Sequence, residues 1–315
     1  MRIIVASLNF PAAARILARN LPQDEVSPTP EDQLAEACRR AEVLVPTMAR
    51  IPAEVIKGSS LRLIHQWGVG LEGVDIAAAT AAGIPVCNVP AGEAVENAES
   101  TSELAVFLMM ATARRLNEHR AHLERGPWGA PLGVSLFGRK ALVVGLGRVG
   151  QALAQRLGAL GMEVSAVKAH PDPELAERLG LAELGGPGEL HRLLGGAHFV
   201  IATLTANPST VGMFGQGAFA AMRPGAFFIN VGRGAVVDEA ALLATLDGGH
   251  LGGAGLDVFA AEPPGPEHPL VEHPLVVASP HIGGVTEQSF EAIGRRVAAN
   301  IERLRRGEPL RFRAN

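Results

Sequence analysis

Cysteine is nearly missing from this chain. Cys38 and Cys87 are the only two in 315 residues, so there is no disulfide framework and a reducing compartment is expected. Net charge is also slight: a formal value of −4 offers no broad attraction to nucleic acid or to an anionic membrane. The most apolar helical stretch, Leu104–Ala113, is about half the roughly 20 residues that a bilayer span requires. Met1-Arg2-Ile3-Ile4-Val5-Ala6 reads as a first strand, too soon interrupted to be a secretory apolar segment. There is no repeat of solenoid period and no low-complexity tract. The expectation is a soluble cytoplasmic protein with no nucleic-acid, membrane or metal partner.

What is present suits a globular protein of two domains: 47% hydrophobic and 19% charged residues over 315 positions. Up to about residue 95, short β-type runs (Ile3–Ala6, Val43–Val45, Leu61–His65, Pro85–Asn88) alternate with helical patterns (Ala12–Arg19, Glu31–Arg40, Ala53–Lys57, Asp75–Ala82). From residue 141 the alternation restarts with Ala141–Val144, Glu163–Val167, Phe199–Leu204, Ala226–Val231, Gly253–Val258 and Leu275–Ala278. Such alternation means βαβ units and parallel sheets. One long helix, Asn97–Leu116, and a turn-rich connector, Gly126–Pro131, are expected between the two halves, and Glu287–Arg306 has the apolar stripe of an amphipathic helix.

The densest signal is Ala141-Leu142-Val143-Val144-Gly145-Leu146-Gly147-Arg148-Val149-Gly150, an apolar strand running into G-x-G-x-x-G. Val149, Leu153, Leu157 and Leu160 then recur at roughly helical spacing. Each glycine has a physical task in a dinucleotide site: Gly145 the tight turn, Gly147 backbone approach to a pyrophosphate, Gly150 close helix–strand packing. The helix N-terminus supplies N–H groups and partial positive charge to the anion.

In an open parallel sheet ligands bind beyond the carboxyl ends of the strands, so polar residues directly after apolar runs are candidates. Phe199–Ala202 leads to Thr203, Leu204 and Thr205; Phe227–Asn230 leads to Val231-Gly232-Arg233-Gly234; Gly255-Leu256 leads to Asp257 and on to Glu262; Val276–Ala278 leads to Ser279-Pro280-His281-Ile282-Gly283-Gly284. The glycines beside Arg233 let ligands approach the backbone.

Taken in order, Gly145–Gly150, Asn230–Leu242, Gly255–Phe259 with Glu262-Pro263, and Ser279–Gly284 resemble the D-isomer-specific 2-hydroxyacid dehydrogenases. Gly68-Val69-Gly70-Leu71-Glu72-Gly73-Val74-Asp75 and Asn88-Val89-Pro90-Ala91-Gly92 extend the likeness to nearly the whole chain. The resemblance implies two doubly wound parallel-sheet α/β domains, a Rossmann cofactor domain (98–286) inserted into a smaller flavodoxin-like substrate domain (1–97 and 287–315), with the active site in the cleft. It departs at Ser100, where the family's Ala-Glu-His-Thr has histidine, and at Glu72, where Asp is common.

Reducing a 2-keto acid requires a hydride at C2, a proton for the carbonyl oxygen and a cation for the carboxylate. His281 is the expected proton donor. Glu262 is its expected partner, favouring the imidazolium form and fixing the ring. Arg233 is the expected anchor, because its planar fork binds a carboxylate in a bidentate way. By the resemblance, Val69 and Gly70 offer backbone N–H groups to the substrate carboxylate. Asp257 is expected to meet the nicotinamide amide, and Thr101, Gly145, Gly147, Arg148, Val149, Gly150, Lys168, Leu204, Thr205, Val231, Gly232 and Gly283 complete the cofactor set.

NAD-preferring folds usually place an acid about twenty residues past the glycines, on the adenosine ribose. Here that strand ends in Val167-Lys168-Ala169-His170, and a cation there would attract a 2′-phosphate, so NAD(P)H with a lean toward NADPH is expected. Asp172 curling back to the ribose is the alternative. Arg50, Lys57 and Arg62 are scattered, which points to an unphosphorylated small 2-keto acid. The resemblance also implies a homodimer, through the Leu104–Ala113 helix and the Trp128 connector. The competing readings are a dinucleotide-sensing, corepressor-like binding protein and a formate- or phosphite-type dehydrogenase.

Overall fold

The computed structural model describes residues 1–6 and 8–315. The chain divides into two compact units, Met1–Asn97 with Gly284–Asn315, and Ala98–Gly283. The first unit contains β1 (Arg2–Ala6), α1 (Pro11–Asn20), β2 (Glu25–Thr29), α2 (Leu34–Cys38), β3 (Val43–Val45), α3 (Ala53–Ile56), β4 (Leu63–His65), α4 (Ile76–Ala81) and β5 (Val86–Cys87). Its parallel sheet has the order β2-β1-β3-β4-β5, so the winding reverses between β1 and β3.

Next come α5 (Val95–Ala113), which runs from the first unit into the second, α6 (Leu116–Arg125), β6 (Lys140–Val144), α7 (Arg148–Ala159), β7 (Glu163–Val167), α8 (Pro173–Leu179) and β8 (Glu183–Gly185). The second unit continues with α9 (Leu190–Gly196), β9 (Phe199–Ala202), α10 (Gln216–Ala221), β10 (Phe227–Asn230), α11 (Glu239–Asp247), β11 (Gly253–Leu256), α12 (Pro269–Glu272) and β12 (Val276–Ala278). Its seven strands are ordered β12-β11-β10-β9-β6-β7-β8, with the reversal between β6 and β9. The last helix, α13 (Glu287–Arg306), belongs to the first unit.

These elements follow from local chemistry. In α13 the Thr286 hydroxyl accepts from the Ser289 N–H, Gly307 closes the helix in the left-handed conformation, and Ile293, Val297 and Ile301 are buried along one face. They pack with Ile16 and Leu17 of α1 in a core built on Ile3, Val5, Val43 and Leu63. The central strands of the second unit are buried on both faces, as parallel strands between helices must be. Cores on the two sides of that sheet gather around Phe214, Phe219 and Phe228, and around Leu153, Leu157 and Phe199.

Three sequence expectations are corrected. The expected 97–116 helix is two elements: α5 stops at Ala113, Arg115 lies in the left-handed region at φ 57°, and α6 starts at Leu116. The Val134 N–H bonds to the Ala113 carbonyl at 2.8 Å and so closes α5, whereas the apolar spacing carries on through Leu116. Strands β2 and β8 are additions to the expected set. Both lie at sheet edges, where polar residues and Pro28 are tolerated and the apolar signal fades. The expected 31–40 helix is a short 3-10 turn, Glu31–Gln33, leading into α2. Among the described residues no helix is long and apolar enough to cross a membrane.

Candidate active site and dinucleotide loop

The parallel register of the second unit aligns its strand ends. Val144 pairs with Val167 and Ala202, Ala202 with Asn230, Asn230 with Leu256, and Leu256 with Ala278. The residues after these positions, Gly145, Lys168, Thr203, Val231, Asp257 and Ser279, therefore share one edge of the sheet.

Gly145 begins the loop at the switch point with φ 104°, and its N–H bonds to the Val167 carbonyl at 2.9 Å. A Cβ on Gly150 would lie 2.1 Å from the Gly145 carbonyl oxygen, so any side chain there would push α7 off the loop. A Cβ on Gly147 would meet nothing within 4 Å. Gly147 is the N-cap of α7 and no side chain caps that helix, which leaves its first N–H groups open to an anion. An enforced close approach at Gly150 beside open backbone at Gly147 fits a dinucleotide pyrophosphate. Arg148 is exposed and Val149 half-buried at the same helix start. The Thr203 hydroxyl donates to the Gly145 carbonyl, and a Cβ on Gly232 would lie 2.5 Å from the Leu204 carbonyl oxygen. Leu204 and Gly232 thus form a close floor beside the loop, and exposed Thr205 is tied through its carbonyl to the Thr210 hydroxyl.

Arg233, Glu262 and His281 sit on three loops, after β10, β11 and β12. The Asn230 side chain accepts from the Gly232 N–H at 3.0 Å and donates to the Arg233 carbonyl at 3.0 Å, which pins the Gly-Arg-Gly turn. Arg233 also donates to the Gly232 carbonyl. A Cβ on Gly234 would lie 1.9 Å from the Phe259 carbonyl group, so only glycine lets the Arg233 turn meet the segment leading to Glu262. One Glu262 oxygen accepts from the Phe259 N–H at 2.9 Å, and the other lies 2.6 Å from Nδ1 of His281. The carboxylate accepts, so Nδ1 carries the proton. The two side chains keep 28% and 18% of their exposure, sheltered yet reachable.

His281 has φ 53°, uncommon for a side chain other than glycine. The backbone is held there by Asp257, which is 2% exposed. Its carboxylate accepts from the Ser279 hydroxyl at 2.6 Å and from the Ile282 and Gly283 N–H groups at 2.8 Å, and its carbonyl accepts from the His281 N–H at 2.9 Å. Burial pushes the Asp257 carboxyl above the usual carboxylate range, against those hydrogen bonds and the charge of His281. A Cβ on Gly283 would come within 3.0 Å of both Asp257 and buried Thr101.

Lys168 continues β7 by bonding its N–H to the Gly185 carbonyl, and it is half-buried. The Asp172 carboxylate accepts from the Glu174 and Leu175 N–H groups as the cap of α8, so it is engaged with its own helix.

In the first unit, the Gly68 carbonyl accepts from the Val89 N–H at 2.9 Å and the Val69 carbonyl from the Asn88 side chain at 2.7 Å. A trans peptide points its N–H away from its C=O, so the Val69 and Gly70 N–H groups face away from those partners. The Gln66 amide ties the Gly70 carbonyl to the Thr47 carbonyl at 2.7 and 3.0 Å. Glu72 is exposed and Ser100 buried. Burial pushes the Cys38 and Cys87 thiols up to about 11, which removes them from chemistry near neutral pH.

Sequence reasoning missed the residues that hold these loops. Asn230, the polar end of an otherwise apolar buried strand, carried a readable signal. Gln66 and Asn88 also follow apolar runs, but nothing in their spacing marks a carbonyl clamp.

Residues 106–283 match the family model of the D-isomer specific 2-hydroxyacid dehydrogenase NAD binding domain, and the chain belongs to that family. It is 33% identical to a D-3-phosphoglycerate dehydrogenase of Archaeoglobus fulgidus, over all of this chain and 59% of that one. It is 35% identical to the enzyme of the same name from Mycobacterium tuberculosis, over 97% of this chain and 57% of that one. The chain thus spans a little over half the length of these curated relatives. Among solved structures it resembles the TT0316 protein of Thermus thermophilus, with TM-score 0.85 and 33% identity over the whole of both chains. It also resembles an NADPH-dependent glyoxylate/hydroxypyruvate reductase of Sinorhizobium meliloti in complex with NADP and malonate, with TM-score 0.82 and 28% identity over 99% and 96% of the two chains.

Proposed function

We propose that this chain is a nicotinamide-dependent reductase that interconverts a small 2-keto acid and its D-2-hydroxy acid. The observation carrying this reading is the 2.6 Å His281–Glu262 pair, on the same sheet edge as Arg233 and the glycine loop. Bound nicotinamide supplies the hydride for C2, or accepts it in reverse. His281 gives a proton from Nε2 to the carbonyl oxygen, while Glu262, bonded at Nδ1, orients the ring. Arg233 holds the carboxylate through its fork and draws electron density from the carbonyl. Asp257 is assigned to the nicotinamide amide and also keeps the His281 loop in its left-handed turn. Gly145, Gly147, Arg148, Val149 and Gly150 are assigned to the pyrophosphate, Thr101, Leu204, Thr205, Val231, Gly232 and Gly283 to the rest of the cofactor, and the Val69 and Gly70 N–H groups to the substrate carboxylate.

An unphosphorylated substrate is favoured. Arg62 precedes β4 and is paired at 3.1 Å with Glu42, which precedes β3, at the sheet end opposite Val69 and Gly70. Lys57 follows α3 and is exposed, which leaves Arg50 of the three basic residues considered. We also propose use of NADPH at least as well as NADH, on the grounds of Lys168, and a homodimer through α5 and the Trp128 connector. Phe107, Met110 and Trp128 are 51%, 39% and 85% exposed, an apolar surface of the kind that marks protein contacts.

The test is cofactor absorbance with glyoxylate, hydroxypyruvate, pyruvate, phosphohydroxypyruvate, formate and phosphite. Oxidation of reduced cofactor by at least one unphosphorylated 2-keto acid is expected. Turnover with formate or phosphite alone, or with none, overturns the reading. Light scattering that gives the monomer mass at micromolar concentration refutes the dimer.

A further inference from the structure

Glu262 faces His281 from a segment with little regular structure. Among the described residues, no backbone-to-backbone hydrogen bond involves residues 259–264, and neither helix nor strand runs through them. A second carboxylate holds the backbone of this segment. Oε1 of Glu239, in the first turn of α11, accepts the Ala260 N–H at 2.8 Å, next to the Phe259 N–H that Glu262 itself accepts at 2.9 Å. The other Glu239 oxygen lies 3.4 Å from Nε2 of His268, both side chains being about one-fifth exposed. The His268 ring stands edge-on to Phe259, with centroids 5.4 Å apart. Beneath them Gly234 admits the Phe259 carbonyl where any Cβ would collide.

We infer that Glu239 is a positioning residue for the His281–Glu262 pair: it acts through the Ala260 N–H, with His268 holding its far oxygen. This rests on the dehydrogenase reading above. The mechanism needs Nδ1 of His281 bonded to a carboxylate, so that Nε2 faces the reacting oxygen. If the 259–262 segment rotates, Glu262 leaves Nδ1 without leaving the fold. Asp238 has its own task as the α11 N-cap, accepting from the Ala241 N–H, and does not duplicate Glu239. Glu262, His281 and His268 are titratable groups in contact with this cluster.

The experiment compares E239A and E239Q with the wild type in two ways. One is kcat and KM for whichever 2-keto acid the wild type reduces. The other is the low-field proton resonance of the His281 Nδ1–H in cofactor-free protein, assigned by its loss in H281A. For E239A, kcat falls about tenfold while KM stays within about twofold, because a small misplacement of a catalytic group costs turnover before binding, and the resonance moves or disappears. E239Q keeps an acceptor for the Ala260 N–H and restores both. If E239A does not fold, Glu239→Asp, which draws the carboxylate back by one methylene, takes its place with the same expected loss. Wild-type resonance and kcat in E239A, or in E239D where it takes its place, overturn the inference, even where the melting temperature drops. If the wild type reduces no 2-keto acid, the functional reading fails, while the resonance still decides the role of Glu239.

Discussion

Each unit places a histidine at or just beyond the carboxyl end of a strand, and the two are opposite in character. His65 closes β4 and is fully buried. Its Nδ1 lies 3.0 Å from the Gln66 carbonyl and its Nε2 3.0 Å from the Asn300 amide nitrogen. Asn300 cannot turn that amide around, because it also donates to the Arg311 carbonyl and accepts from the Arg311 N–H. Nε2 of His65 must therefore accept, and the ring must be neutral. His281 lies in the loop after β12 with a carboxylate at Nδ1 and partial exposure. Position at a strand end is common to both; the partners differ, an amide and a carbonyl that fix a neutral ring on one side and a carboxylate on the other.

The largest expected effect comes from removing the second ring. His281→Ala should lower turnover by roughly 10²–10⁴-fold and leave cofactor affinity nearly unchanged, as measured by steady-state rates and by quenching or enhancement of NAD(P)H fluorescence. Turnover within tenfold of wild type would break the contrast between the two histidines.

The first ring should show itself in stability instead. Burial pushes His65 down to about 4, against an ordinary value near 6.5. Between those two values the unfolded chain takes up a proton that the folded chain refuses, so folding weakens as pH falls from about 6.5 to about 4, and this contribution levels off below that. The shift corresponds to about 3 kcal/mol across the window. Trp67 is buried in this unit, whereas Trp128 is 85% exposed, so urea melts followed by tryptophan fluorescence report mainly on the first unit. His65→Gln should be less stable at pH 7 and lose less stability than wild type on going to pH 4.5. Parallel losses in the two proteins would mean that His65 does not titrate as its burial implies.

A smaller loss, roughly 10- to 100-fold in kcat/KM, is expected for Arg233→Lys, which keeps the charge and loses the bidentate fork. Both kcat and KM should suffer. Equal performance would remove Arg233 as the carboxylate anchor.

The two units were also unequally legible in the sequence. The second announced itself: apolar runs ending in Gly145, Thr203, Arg233, Asp257 and the loop to His281 mark one sheet edge, because parallel strands are buried throughout and their polarity begins where the ligand edge begins. The first unit offered short strands and an edge strand whose apolar pattern is interrupted by Pro28. The supporting contacts were hidden for a related reason. Glu239 reads as an acid at a helix start and Asp257 as a polar residue after a strand, and only the folded chain shows which N–H groups they hold. The turn at Arg115 was invisible because Leu116 continues the apolar spacing of α5.

The smallest expected effect concerns Lys168, where the sequence signal is a substitution rather than a motif. Its backbone continues β7 to the edge shared with Gly145, the place where an acidic side chain would hydrogen-bond the adenosine ribose and repel a 2′-phosphate. Asp172, the nearest carboxylate in sequence, accepts two N–H groups as the cap of α8; recruiting it to the ribose would uncap that helix at a cost of about 1 kcal/mol. A partly solvated cation beside a phosphate contributes modestly, because water and salt screen it, so the expected preference for NADPH lies between parity and about tenfold. Lys168→Asp should shift the ratio of kcat/KM for NADPH over NADH toward NADH by roughly tenfold or more, through loss of attraction and gain of repulsion, with kcat at saturating cofactor little changed. The shift should shrink as salt is raised from about 20 to about 500 mM, since it is electrostatic. A wild-type efficiency more than tenfold higher with NADH, or a ratio unmoved by the substitution, would show that this edge reads the ribose by some group other than Lys168.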